Sequence, residues 1–287
     1  MLAEIFLASL KESLVIITLI FVMMVIVEFL VLRYRRKITS AIGKGRFFSY
    51  ILSSSFGIIP GCVGTFTMDT LYMGGLLSFG GIVAVMVATS GDEAFLMLSL
   101  AASGKLSWAL ILVLMLTLFL FGILAGWLGD VFVKKTRMTF CKHCSIVDHR
   151  VDEFNIRHFM KKHIVEHILR RHLWKIFLWV FAALFVIGLS EGFINADHLF
   201  AGQTMIFVLV IAALIGLLPI SGPNVFLVML FSQGLIPFSI LLANSIVQDG
   251  HGLLPIMGFS MDDAVKIKAF NFVFGLVVGG VFLALGF

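Results

Sequence analysis

The chain has 287 residues, 60% of them hydrophobic and only 13% charged, with a mean hydropathy of +1.10. A soluble globular domain cannot bury that much apolar surface, whereas a bilayer can, so a soluble domain is excluded. The net charge of +5 is informative only through its placement, and three cysteines (Cys62, Cys141 and Cys144) do not make a disulfide framework.

The first apolar segment, residues 14–32, ends in the basic run Arg33, Tyr34, Arg35, Arg36, Lys37. It is too long for a leader and has neither a basic start nor a small-residue cleavage site, so no cleavable signal is expected. Glu28, near its basic end, is expected to pair with Arg33 or Arg35. Segments 47–59 and 65–77 have 13 residues each. As helices each would be ~20 Å long, well short of a ~30 Å hydrocarbon core. They read as a re-entrant hairpin, or as two half-spans, bending between Pro60 and Gly64. Segment 79–102 is long enough to cross but is broken at Thr89, Ser90, Gly91, Asp92 and Glu93. Segment 106–128 is a plain span, and beyond it Asp130 and Lys134 are expected to form a surface pair. The pattern then restarts with segments 173–189, 204–218, 225–236, 238–257 and 265–287.

The two sets of five are related in sequence. Shifted by 159 residues without a gap, the stretch 57–98 lies on 216–257. Gly57, Pro60, Leu71, Gly75, Leu76, Phe79, Ala84 and Gly91 then fall on Gly216, Pro219, Leu230, Gly234, Leu235, Phe238, Ala243 and Gly250. Broken hydrophobic segments in corresponding places of two halves point to a transporter's binding site. The predicted fold is an all-α polytopic membrane protein of ten helical segments, arranged as two inverted five-segment repeats with broken or re-entrant helices. The predicted divisions are a first transmembrane repeat (1–133), a basic His/Cys-containing linker (134–172) and a second repeat (173–287). The helix breaks are expected at Pro60, Gly61, Gly64, Gly91, Pro219, Gly222, Pro223 and Gly250.

Basic residues set the orientation. Segments 33–46, 134–175 and 266–268 hold 19 of the 21 Lys and Arg, which places them on the cytoplasmic side. The counterpart of 33–46 in the second half, roughly 192–203, has no Lys or Arg and is expected outside. Both termini are then external, and the chain is a multi-pass protein of the cell's inner (plasma) membrane.

Within the linker, Cys141, Cys144, His158 and His163 read C-x2-C-x13-H-x4-H, which falls within zinc-ligand spacing. A nucleic-acid-reading finger is not expected, because Asp148 and Asn155 stand where its core aromatic and leucine belong. Ile156, Met160, Ile164 and Ile168 recur every four residues, as in a helix lying at the membrane interface. A solvated basic connector and a metal-binding module both remain open.

Ionisable residues inside apolar segments are costly and are therefore candidates for function. Asp69, Asp92, Glu93 and Asp249 lie in or beside the breaks with His251, and no Lys or Arg occurs between 47 and 105 or between 204 and 266. That pattern favours a bound cation, a proton, or both over structural ion pairs. Under the repeat alignment Ser90 meets Asp249 and Asp92 meets His251, with Asn244 and Gln248 close by. Such oxygen-rich donors suit a hard or borderline divalent ion such as Mn2+. The other pair of breaks begins half-helices at Thr65 and Asn224, whose free N–H groups favour an anion instead. Cys62 is either a soft ligand or a small packing residue. Gly275 and Gly279 are expected to permit close helix packing.

The residues from Gly57 to Cys62 with Leu71 and Tyr72, and those from Ala88 to Phe95, resemble a bacterial ten-TM heavy-metal and arsenic exporter family, some of whose members are called manganese transporters. In the second half the likeness is carried by Pro219, Ser221, Gly222 and Pro223, by Gly234 to Ser239, and by Gln248 to His251. The resemblance implies metal or metalloid efflux. Related members often carry a second cysteine in the 219–223 break, where this chain has Ile220, Ser221 and Gly222. That difference points here to an oxygen-ligated cation.

The reading is a secondary transporter, not an enzyme, that exports a divalent metal by proton antiport. Asp92, Glu93 and Asp249 are its expected ligands or proton carriers, and Asp69 and His251 support them. Lipid, the metal or metalloid and protons are its expected partners; no cofactor is expected, and a homo-oligomer is left open. One alternative is carriage of an oxyanion or anionic organic substrate at the half-helix N-termini. A more distant one is an intramembrane aspartyl protease using Asp69 and Asp92.

Overall fold

The computed structural model describes residues 2–39, 45–137, 140, 174–190, 204–219 and 221–287. Every element among them is helical: α1 (Leu2–Thr39), α2 (Arg46–Gly57), α3 (Val63–Met73), α4 (Phe79–Ala88), α5 (Glu93–Ala102), α6 (Trp108–Thr136), α7 (Trp174–Ser190), α8 (Thr204–Gly216), α9 (Gly222–Ser232), α10 (Phe238–Val247), α11 (Leu254–Phe259) and α12 (Met261–Ala284). The linker ligands Cys141, Cys144, His158 and His163, the loop 192–203 and the side chain of Glu28 lie outside the described residues.

Burial sorts the helices into a centre and a rim. All ten residues of α4 are buried, as is α10 from Ser239 onward. A helix that is apolar on every side belongs inside, and α4 and α10 touch one another. α6 and α12 instead present one face to the bilayer. On α6, Trp108, Leu112, Leu116, Leu120 and Leu124 are exposed at four-residue spacing, while Leu114, Leu118, Gly122, Ala125 and Gly126 face inward. Val273, Val277 and Val281 form the matching outer stripe of α12. With α4–α5, both are long and apolar enough to cross a membrane.

Contacts in one half have counterparts in the other. α4 packs on α6 and α10 on α12; α2 packs on α4 and α8 on α10; α2 meets α6 as α8 meets α12. Small residues allow these approaches. A Cβ added at Gly126 would lie 2.9 Å from Ala84 Cβ, and one at Gly279 would lie 2.5 Å from Ala243 Cβ. Ala84 and Ala243 are the aligned positions. The expected close packing at Gly275 and Gly279 is therefore seen, against α10.

Three expectations are corrected. α3 and α9 begin two residues early, so Gly64, Gly222 and Pro223 lie in first turns, where proline's fixed φ suits helix onset. Asp130 is not in a surface pair: it accepts hydrogen bonds from Tyr50 Oη (2.6 Å), Ser78 Oγ (2.9 Å) and Gly80 N (2.6 Å), closing the N-terminus of α4. Lys268, counted above with the cytoplasmic charges, is buried.

A candidate metal centre at the helix breaks

The break between α4 and α5 and the break after α10 share a backbone. Thr89 and Gln248 both turn extended (φ −67°, ψ 122° and φ −75°, ψ 134°). Two residues on, Gly91 and Gly250 have φ of +52° and +51°, a left-handed conformation that glycine adopts without steric penalty. The breaks also meet: Gln248 Nε2 donates to the carbonyl of Thr89 (3.1 Å), its aligned position 159 residues earlier. Gly61 N donates to Gly91 O (2.9 Å) and Ser90 N to Gly57 O (3.3 Å), tying the Pro60 bend to the same place.

Helix starts then supply the side chains. Cys62, Asp92 and Ser221 are the N-cap residues of α3, α5 and α9, yet none of the three side chains caps its own helix. Ser and Asp at this position ordinarily do so. Ser221 Oγ instead donates to Asp92 Oδ2 (3.1 Å) and lies 3.4 Å from His251 Nδ1, which is 4.0 Å from Asp92 Oδ2. Cys62, Asp92 and His251 offer sulfur, oxygen and nitrogen atoms within 4.8 Å of one another. Cys62, Asp92 and Ser221 are buried; the His251 side chain is 19% exposed. Ser221 Oγ thus stands between the Asp92 carboxylate and the His251 imidazole.

The other expected site residues divide. Glu93 and Asp69 are buried; the amide of Asn224 stands beside the Glu93 carboxylate, whereas the Asp69 carboxylate has no hydrogen-bond partner among the described residues. Asp249 is close enough to Asp69 for the two charges to repel. Asn244 Nδ2 donates to Asn224 Oδ1 and to Ala212 O, both at 2.9 Å, so these amides join α8, α9 and α10. Ser90 is buried beside the break.

Asp249 is committed elsewhere. Lys268 Nζ lies 2.7 Å from its Oδ2, and Asn271 Nδ2 donates to its Oδ1 at 3.2 Å. The same ammonium donates to Gly216 O (2.9 Å) and Val247 O (3.0 Å), the carbonyls left open where α8 and α10 stop. No base lies within the acids' own broken-helix units, as counted above, yet Asp249 is in an ion pair, because its base comes from α12. Sequence reasoning missed Lys268 as a functional residue, although a lysine one turn before Asn271 in an apolar helix was a usable signal. It also passed over Ser221 as a site residue, although its alignment with Cys62 marked the position.

The described residues form an all-helical, multi-pass membrane protein with a polar centre built where its helices break. The profile of the family described as "Putative, 10TM heavy-metal exporter" matches residues 1–201 and 158–285. The chain belongs to this ten-TM heavy-metal exporter family. No curated protein and no solved structure matches it.

Proposed function

We propose that the protein exports a divalent metal ion across the inner membrane in exchange for protons, through two repeats of opposite orientation. One observation carries the reading: three N-cap side chains from three separate helices turn away from those helices and meet His251 in a buried centre. Family membership supports metal or metalloid transport. Three helix N-termini there would also favour an anion, but Asp92 and Glu93 stand in the same place and set the sign for a cation. The oxygen donors suit Mn2+, and the thiol and imidazole beside them suit softer ions. A carboxylate that takes either a metal or a proton lets the two exclude one another, as an antiporter requires. Asp69 and Glu93 are supporting acids in this scheme, and Asp249 is reserved for Lys268.

The test is Asp92→Asn in proteoliposomes. The variant is expected to insert, remain monodisperse and lose metal-dependent proton movement. Transport at the wild-type rate with an unchanged pH profile would move the site elsewhere. Opposite orientation is checked separately by cysteine labelling from outside, in a background without native cysteines: Asp197→Cys should react and His149→Cys should not. Labelling of both from one side would end the inverted arrangement.

A further inference from the structure

The breaks bring together four side chains that form two aligned pairs. Cys62 and Ser221 are 159 residues apart, as are Asp92 and His251. All four meet at one centre, but the members of each pair differ in chemistry. The donor set is therefore one thiol, one hydroxyl, one carboxylate and one imidazole. One acid of the breaks is withdrawn from that set. Asp249 is instead held by Lys268 and Asn271.

The separations suit a small four-coordinate ion. Bonds of ~2.0–2.3 Å place tetrahedral neighbours ~3.3–3.8 Å apart. Ser221 Oγ stands 3.1 Å from Asp92 Oδ2 and 3.4 Å from His251 Nδ1, and His251 stands 4.0 Å from Asp92. The widest separation among the Cys62, Asp92 and His251 donors is at most 4.8 Å, so a contraction of about 1 Å closes the set. Thiolate and imidazole together select borderline ions, and Mn2+ is the weakest first-row divalent ion for any such set.

We infer that Cys62 Sγ, His251 Nδ1 and the Asp92 carboxylate, with Ser221 beside them, form a substrate site that prefers a borderline divalent ion of the Zn2+ and Co2+ kind over Mn2+. This rests on the metal-export reading and names the class of ion. It also gives the Cys62/Ser221 pair a meaning. Ser221 stands where a second thiol would face the same ion, so the serine tunes the site away from the softest metals.

The experiment is Co2+ titration of the purified full chain carrying Cys141→Ser and Cys144→Ser, so that Cys62 is its sole thiol. Bound Co2+ is expected to show a thiolate-to-metal charge-transfer band in the near ultraviolet. Zn2+ should displace it at a concentration at least about tenfold below that of Mn2+. Cys62→Ser should lose the band, and His251→Ala should weaken Co2+ binding about tenfold or more. Ser221→Cys adds a thiol without removing Cys62, and should strengthen the band and improve competition by Cd2+. That variant keeps the test open even if Cys62→Ser does not fold. Co2+ binding without a thiolate band, or Mn2+ competing as well as Zn2+, overturns the inference and leaves metal export standing. No binding of any divalent ion overturns both.

Discussion

The two breaks share a backbone but not a charge state. After α4 and after α10 the chain turns extended and then enters the left-handed region at Gly91 or Gly250. In the second break the acid, Asp249, is closed off by Lys268 and Asn271, and the same lysine seals the ends of α8 and α10. In the first break the position aligned with Asp249 is Ser90, and the acids are Asp92 and Glu93, with the imidazole of His251 opposite. The second break thus holds a structural anchor, while its His251 joins Asp92 of the first break at the candidate centre.

Removing the anchor has the largest expected effect on stability. Lys268→Met leaves Asp249 as an uncompensated buried charge and strips two carbonyls of their donor, at a cost of about 3–5 kcal/mol. Thermal unfolding in detergent measures it, and Asp249→Asn added to Lys268→Met should recover much of the loss, as expected for coupled residues. Asp92→Asn should shift the same melt far less than Lys268→Met, because the amide oxygen can still accept from Ser221 and no charge is left unpaired, while abolishing exchange. A wild-type melt for Lys268→Met would erase the distinction between the breaks.

Next come the glycines. Gly91→Ala and Gly250→Ala each force a side chain into the left-handed region, costing about 1–2 kcal/mol. Gly91→Ala should cost more, because its Cβ would meet Glu93 Oε2 at 2.6 Å, whereas the nearest atom at Gly250 is Ser221 Oγ at 3.2 Å. Equal melts for the two would mean that the Glu93 carboxylate moves aside freely. A smaller loss is expected for Asn271→Leu, which removes one hydrogen bond from Asp249 while Lys268 stays, at about 0.5–1.5 kcal/mol. A loss as large as that of Lys268→Met would assign the anchor to the amide as well.

Much of this was open to reading along the chain. Half-length apolar runs, the glycine and proline interruptions and the 159-residue alignment are local properties. They identified a polytopic helical protein and the positions of its breaks, because a helix needs its residues in series and fails where glycine, proline and charge cluster. The aligned pairs Ala84/Ala243 and Gly91/Gly250 behave alike in the structure for that reason.

What tertiary structure alone decided is which acid is neutralised and which side chains share the centre. Asp249, in the break after α10, and Lys268, on α12, are 19 residues apart, and no periodicity announces that α12 turns Lys268 toward the ends of α8 and α10. Asp130 likewise exchanged a neighbour one turn away for the start of α4. The Cys62 thiol comes beside Asp92 and His251 only through the meeting of separate helix starts and the second break. Local pattern specifies where a helix stops, but the partner of a buried charge is set by the low-dielectric interior, where the nearest opposite charge or donor in space dominates whatever its distance in sequence.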